Sequence, residues 1–229
     1  MKSNYVYLLL DFISILFPLT FSFYRKANFS EKWKYLWKAL LIPAVVFVVW
    51  DMAFTKIGVW GFNPKYILGI YIYNLPIEEV LFFICIPYAC VFMYYALNYL
   101  VKKDILVSIA SLITIVLIIL LVAFGLMNLE RWYTSVTFFS TAFLLLLLQW
   151  TWKVTFLSRF YFTFIFVLIP FFMVNGILTG SFIDEPVVWY NASEISGFRI
   201  GTIPFEDIFY GMLLLLMNVS LFEREQRVR

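Results

Sequence analysis

Pro76-Ile77-Glu78-Glu79-Val80-Leu81-Phe82-Phe83 is echoed by Pro204-Phe205-Glu206-Asp207-Ile208-Phe209-Tyr210-Gly211, 128 positions on (204 − 76). Each stretch is a proline, a gap of one, two adjacent carboxylates and then aromatics, and each heads a long apolar run. Ionisable groups within a membrane are costly and rare, so acidic pairs placed twice at matching positions point to function. The same offset aligns Asn63 with Asn191 and Gly69 with Gly197, and brings Trp60 and Trp189 together with one residue of slip.

The chain around these motifs reads as a membrane protein. Of its 229 residues 64% are hydrophobic and 14% are charged, well below the charge of a soluble domain. A helix needs about 20 apolar residues to cross a bilayer. Seven segments qualify as spans: Tyr5–Phe23, Trp37–Phe54, Leu75–Leu100, Ile105–Met127, Tyr133–Trp150, Phe160–Thr179 and Ile203–Phe222. Trp37, Trp50, Trp132, Trp150 and Trp152 fall near their ends, as an aromatic belt does. The first run is read as a retained span, because no small-residue cleavage site follows it.

The expected fold is therefore all-α and polytopic, with seven transmembrane helices as a 3+1+3 parallel repeat. Residues 1–104 hold the first three helices, 105–127 the connecting fourth, and 128–229 the last three. Helices three and seven, which carry the motifs, are expected to face each other across a pseudo-two-fold axis. Twelve Lys and Arg residues fall on one side, Arg229 among them, and five on the other, beginning with Lys2. Positive loops stay inside, so the N-terminus is expected outside and the C-terminus in the cytoplasm, with both acidic pairs at the outer face.

Some chemistry is argued against at once. A net charge of +3 gives no footprint for nucleic acid. Histidine is absent, and Cys85 and Cys90 match no metal or redox spacing, so no metal site and no cofactor are expected. No glycine-rich dinucleotide fingerprint occurs.

Glu78, Glu79, Glu206 and Asp207 are the candidate catalytic residues. Proline suits a first helical turn, where its missing N–H costs nothing, and carboxylates are favoured there by the helix dipole. That accounts for one acid per helix better than for two in each motif. Crowded carboxyls in a low-dielectric region do not all ionise, which yields an acid and a base from one residue type. Phe82 and Phe83 lie three and four positions beyond Glu79, and Tyr210 three beyond Asp207. Their rings suit a cation. Donor, acceptor and cation-stabilising faces open to lipid fit carbocation chemistry on a polyene. Asp51, Asn175 and Thr179 carry two readings of equal weight: lining the site, or capping and anchoring helix ends. For Asp11, in mid-span, a catalytic role is one reading and a hydrogen bond to a neighbouring helix the safer one.

These residues resemble the integral-membrane lycopene β-cyclases, in the form that fuses two small subunits into one chain. The Pro-x-Glu-Glu-x-x-Phe-Phe element is matched by Pro76, Glu78, Glu79, Phe82 and Phe83. The second element is matched by Pro204, Glu206 and Asp207, and an Asn-Gly-x-Leu-Thr segment by Asn175, Gly176, Leu178 and Thr179. The resemblance implies an isomerase of carotenoid biosynthesis. The ψ-end of lycopene is protonated, the cation is attacked by the neighbouring alkene, and a ring proton leaves. No redox cofactor is required. Glu78 and Glu79 would supply the donor and its charge partner, and Glu206 and Asp207 the base and cation stabiliser, or the same roles from the other half. The implied partners are lycopene or a related linear carotenoid and the lipid bilayer, with other carotenoid-pathway enzymes as candidate contacts. The rival reading is a small parallel-repeat transporter of the sugar-carrier type.

Overall fold

A computed structural model describes residues 3–227; Lys2 and Arg229 of the charge count lie outside them. Among the described residues seven α-helices dominate: α1 (Val6–Phe21), α2 (Trp33–Lys56), α3 (Ile77–Leu100), α4 (Ala110–Met127), α5 (Trp132–Leu146), α6 (Leu157–Leu178) and α7 (Phe205–Arg227). Six of them are long and apolar enough to cross a membrane, while α1 is apolar but only 16 residues long. The protein is a multi-pass membrane protein. Several expected boundaries move. The second helix starts four residues before Trp37. The fourth starts at Ala110, not Ile105, after a loop whose first residues, 101–104, are held by Arg159. Its guanidinium donates to the carbonyls of Val101 (2.5 Å) and Lys102 (2.6 Å) and pairs with Asp104 at 3.7 Å. Past Leu146, α5 gives way to a π turn, Leu147–Thr151.

The prolines of the two motifs sit one place earlier than expected. Pro76 is the N-cap of α3, extended at φ −63° and ψ 149°. It closes a small hairpin of β2 (Tyr71–Ile72) with β3 (Leu75–Pro76), Tyr71 opposite Pro76. The second motif repeats this: β5 (Arg199–Ile200) pairs with β6 (Ile203–Pro204), Arg199 opposite Pro204. In the loops that lead to these hairpins, the Asn63 side chain accepts from the Lys65 N–H and Asn191 from the Ser193 N–H, both at 3.1 Å. Gly69 (φ +79°) and Gly197 (φ +85°) take left-handed backbone that L side chains rarely adopt. The matched residues thus have matched local jobs.

A third strand pair links the two loop regions. Antiparallel β1 (Trp60–Phe62) and β4 (Val188–Tyr190) put Trp60 opposite Tyr190, Gly61 opposite Trp189 and Phe62 opposite Val188. The central pair, Gly61 and Trp189, is itself 128 positions apart. A Cβ at Gly61 would stand 2.4 Å from the Trp189 ring, so only glycine fits beneath that indole.

Packing follows the same plan. α1 lies on α3 and α5 on α7, while α2 bridges α7 and α3, and α6 touches α3 and α7 more lightly. Where α2, α3 and α7 meet, Phe47, Phe83, Leu213 and Leu214 form a filled core. Between α1, α3, α6 and α7 there is instead a cavity of about 510 Å³.

Candidate active site

The N-termini of α1, α3, α5 and α7 and the C-termini of α2 and α6 gather at one end of the bundle, together with the three strand pairs. There the cavity is walled by Glu79 from α3, Asp207 and Tyr210 from α7, Asp51 from α2, Tyr7 from α1 and Tyr133 from α5. Trp60 and Phe62 of β1 and Tyr190 of β4 close it over. Away from this end the wall is almost wholly hydrocarbon.

Both acids of each pair are buried, but they do different work. Glu78 and Glu206 are fully buried and are not part of the cavity wall. Glu78 Oε1 accepts the Leu68 N–H at 2.7 Å, and Glu206 Oε1 accepts the Ser196 N–H at 2.6 Å and the Thr134 hydroxyl at 2.5 Å. Each pins the loop ten residues ahead of it. Glu79 and Asp207 face the cavity. Glu79 Oε2 accepts from the Tyr7 hydroxyl at 2.5 Å, and its carboxyl is within hydrogen-bond reach of Asp51. Asp51 accepts in turn from the Tyr210 hydroxyl. Asp207 receives two phenols, Tyr133 at 2.6 Å on Oδ1 and Tyr190 at 3.0 Å on Oδ2. Tyr190 lies in the covering loop, half-buried with its hydroxyl turned inward. Burial first, and the Asp207 carboxyl second, push its phenol well above the usual value, so it remains a donor.

Aromatic faces complete the wall. Trp60 meets Tyr133 edge-on at 5.0 Å between centroids and Tyr210 at 6.2 Å, and Tyr133 stacks on Tyr190 at 5.8 Å. Phe82 meets Tyr7 edge-on at 6.3 Å.

Of the residues singled out in the sequence, the cavity gathers Glu79, Asp207, Asp51, Phe82, Tyr210 and Asn175. Glu78, Glu206, Phe83 and Thr179 lie elsewhere. Phe83 is fully buried against Phe47, 5.8 Å between centroids, in the filled core on the other side of α3. Thr179 ends α6 and shares a 2.7 Å hydrogen bond with Thr202, which ties that helix to the β5–β6 hairpin. Asp51 is 3% exposed, bonded inward to Tyr210 and part of the cavity wall. Asp11 departs from expectation: it is buried, yet neither carboxyl oxygen finds a hydrogen-bond partner among the described residues. Sequence reasoning missed Tyr7, Tyr133, Tyr190 and Thr134. A signal was present for the first two, since each stands near the start of an apolar run, 126 positions apart.

A multi-pass membrane protein with buried carboxyls at one end of an apolar cavity is defined by these features. The family model described as lycopene cyclase matches residues 4–97 and again residues 130–224. The chain belongs to the lycopene cyclase family, enzymes of carotenoid cyclisation, with a carotenoid as substrate and membrane lipid as medium. Comparisons with curated proteins and with solved structures returned no match. Family membership leaves the transporter reading without support.

Proposed function

We propose that the protein is a lycopene β-cyclase, closing the ψ-ends of lycopene to β-ionone rings by non-redox acid–base chemistry, as an intramolecular lyase or isomerase. The observation that carries this reading is the unequal surroundings of two carboxyls on one cavity wall, Glu79 and Asp207. Two carboxyls in hydrogen-bond reach, Asp51 and Glu79, need one proton between them, because a carboxylate only accepts. Asp207 already receives an O–H on each oxygen and needs none. Opposed environments of this kind separate an acid from a base.

Glu79, with Asp51 behind it, gives its proton to the terminal double bond of the substrate. The cation formed there is attacked by the neighbouring alkene, which makes the carbon–carbon bond of the ring and moves the charge onto the ring. Trp60, Phe82 and Tyr210 offer π faces to that charge. A ring proton then leaves to Asp207, and the new ring double bond forms. One proton enters and one leaves, so the product is an isomer. Glu78 and Glu206 act here as positioning residues, which fix the loops that carry Trp60 and Tyr190.

The two halves are read as repeats, residues 1–104 and 128–229, with α4 as connector. The support is the doubled hairpins, the doubled loop anchors and a strand pair centred on residues 128 apart. The charge asymmetry supports an N-terminus outside and a cytoplasmic C-terminus. The test is pigment chromatography of lycopene-accumulating cells that express the chain. γ- and β-carotene are expected, and their absence despite inserted protein would refute the reading.

A further inference from the structure

A chain with two like halves has the means to build two like grooves, one beside each motif helix. Among the described residues the place between α1, α3, α6 and α7 is open, and its twin beside α2 is filled. The wall of the open cavity follows α3 from Glu79 to Leu97. At 1.5 Å per residue that is about 27 Å, close to the hydrocarbon thickness of a bilayer. On α7 it descends from Asp207 through Gly211 to Leu214 and Leu215. The carboxyls stand at one end alone; Phe92, Met93, Ala96 and Leu97 line the other. Ile13, Phe17 and Met173 on its rim are among the lipid-exposed hydrophobics, so the cavity is open sideways to the membrane.

The last residue of each motif accounts for the difference. Phe83 and Gly211 correspond at the common offset of 128. Phe83 fills the space beside α2 with Phe47, Leu213 and Leu214. Gly211 lies four residues beyond Asp207, one turn deeper on the same face, and a Cβ there would be 3.5 Å from the Phe171 ring. A phenyl group at that place would occupy the cavity directly beneath the acid.

We propose that Gly211 is the residue that opens the polyene channel and Phe83 the plug that closes its twin, so that the enzyme holds one chain end per binding event. This rests on the reading of the cavity as the cyclisation site. The reacting end sits among Glu79, Asp51 and Asp207 while the rest of the chain runs beside Gly211 and down α3 toward Leu97. A second ring then requires the monocyclic product to leave, turn end for end and bind again.

The test uses the full chain in lipid vesicles, with lycopene as probe and two readouts: saturable quenching of tryptophan fluorescence, since Trp60 is in the wall, and product chromatography in the presence of acceptor vesicles. Gly211→Phe is expected to weaken saturable quenching and lower kcat/KM for lycopene by on the order of tenfold or more. The smaller Gly211→Leu should act in the same direction should the phenyl prevent folding. Ile165→Phe, which adds the same bulk on the lipid face of α6, should change neither. Free γ-carotene should reach the acceptor vesicles before β-carotene forms. Unchanged quenching by folded Gly211 variants would overturn the proposal, as would β-carotene formed with no free monocyclic product. If the unaltered protein quenches on lycopene but closes no ring, the cyclase reading fails, and the quenching of the Gly211 variants still decides the channel.

Discussion

The two acidic motifs share a backbone and differ in their hydroxyls. Around Asp207 the second half supplies Tyr133 and Tyr190, and around Glu206 it supplies Thr134. At the corresponding places the first half keeps Tyr7 but has Phe62 for Tyr190 and Leu8 for Thr134. Tyr210, which stands at the offset of 128 from Phe82, reaches from α7 to Asp51 on α2. One carboxyl is therefore surrounded by donors, and the other shares its surroundings with a second carboxyl. Two equal acids on one cavity wall would add little to each other. Unequal ones divide the giving and the taking of a proton.

The sharpest way to break this comparison is within the first pair. Glu79→Gln should lower ring formation by about a hundredfold or more, the scale of general acid catalysis, while the protein still inserts. Glu78→Gln keeps an acceptor for the Leu68 N–H and should cost no more than about tenfold, the weakening of a charge-assisted hydrogen bond. Pigment chromatography normalised to membrane-inserted protein measures both. Equal losses would return the two acids to the shared role that adjacency in the sequence suggests.

Across the halves, Tyr190→Phe removes one of the two donors to Asp207 and should lower the rate about tenfold. Initial rates in vesicles would reveal it, and an unchanged rate would mean that Asp207 works without that donor. A stability effect should come next. Thr134→Val makes the second pair resemble the first, leaves Glu206 with one donor fewer, and should cost about 1–3 kcal/mol in thermal unfolding in micelles. The smallest change concerns Asp11, whose carboxyl has no partner among the described residues and whose place in the other half is taken by Thr137. Asp11→Leu should raise stability by about 1 kcal/mol, since a buried unpaired polar group is lost. A marked loss of activity in that variant would instead show that Asp11 takes part in the chemistry.

Much of this molecule was legible in one dimension, because the relevant physics is local or periodic. Length and apolarity of the runs announce spans, since a bilayer leaves backbone groups no partner outside the helix. The doubled motif announces doubled local structure: Gly69 and Gly197 because a left-handed turn needs them, and Asn63 and Asn191 because their side chains close the next turn. Boundaries were less legible: α4 begins five residues past Ile105, beyond a loop whose first residues the distant Arg159 holds. Which acid of each adjacent pair faces the cavity, and which ties down a loop, was decided by folding alone. Neighbours in sequence point about 100° apart on a helix of 3.6 residues per turn, so Glu78 and Glu79 meet different surroundings. The same rotation sends Phe82 to the cavity and Phe83 to the core. Tyr7, Asp51, Tyr133 and Tyr190 come from four separate elements, and only their packing brings them to the carboxyls.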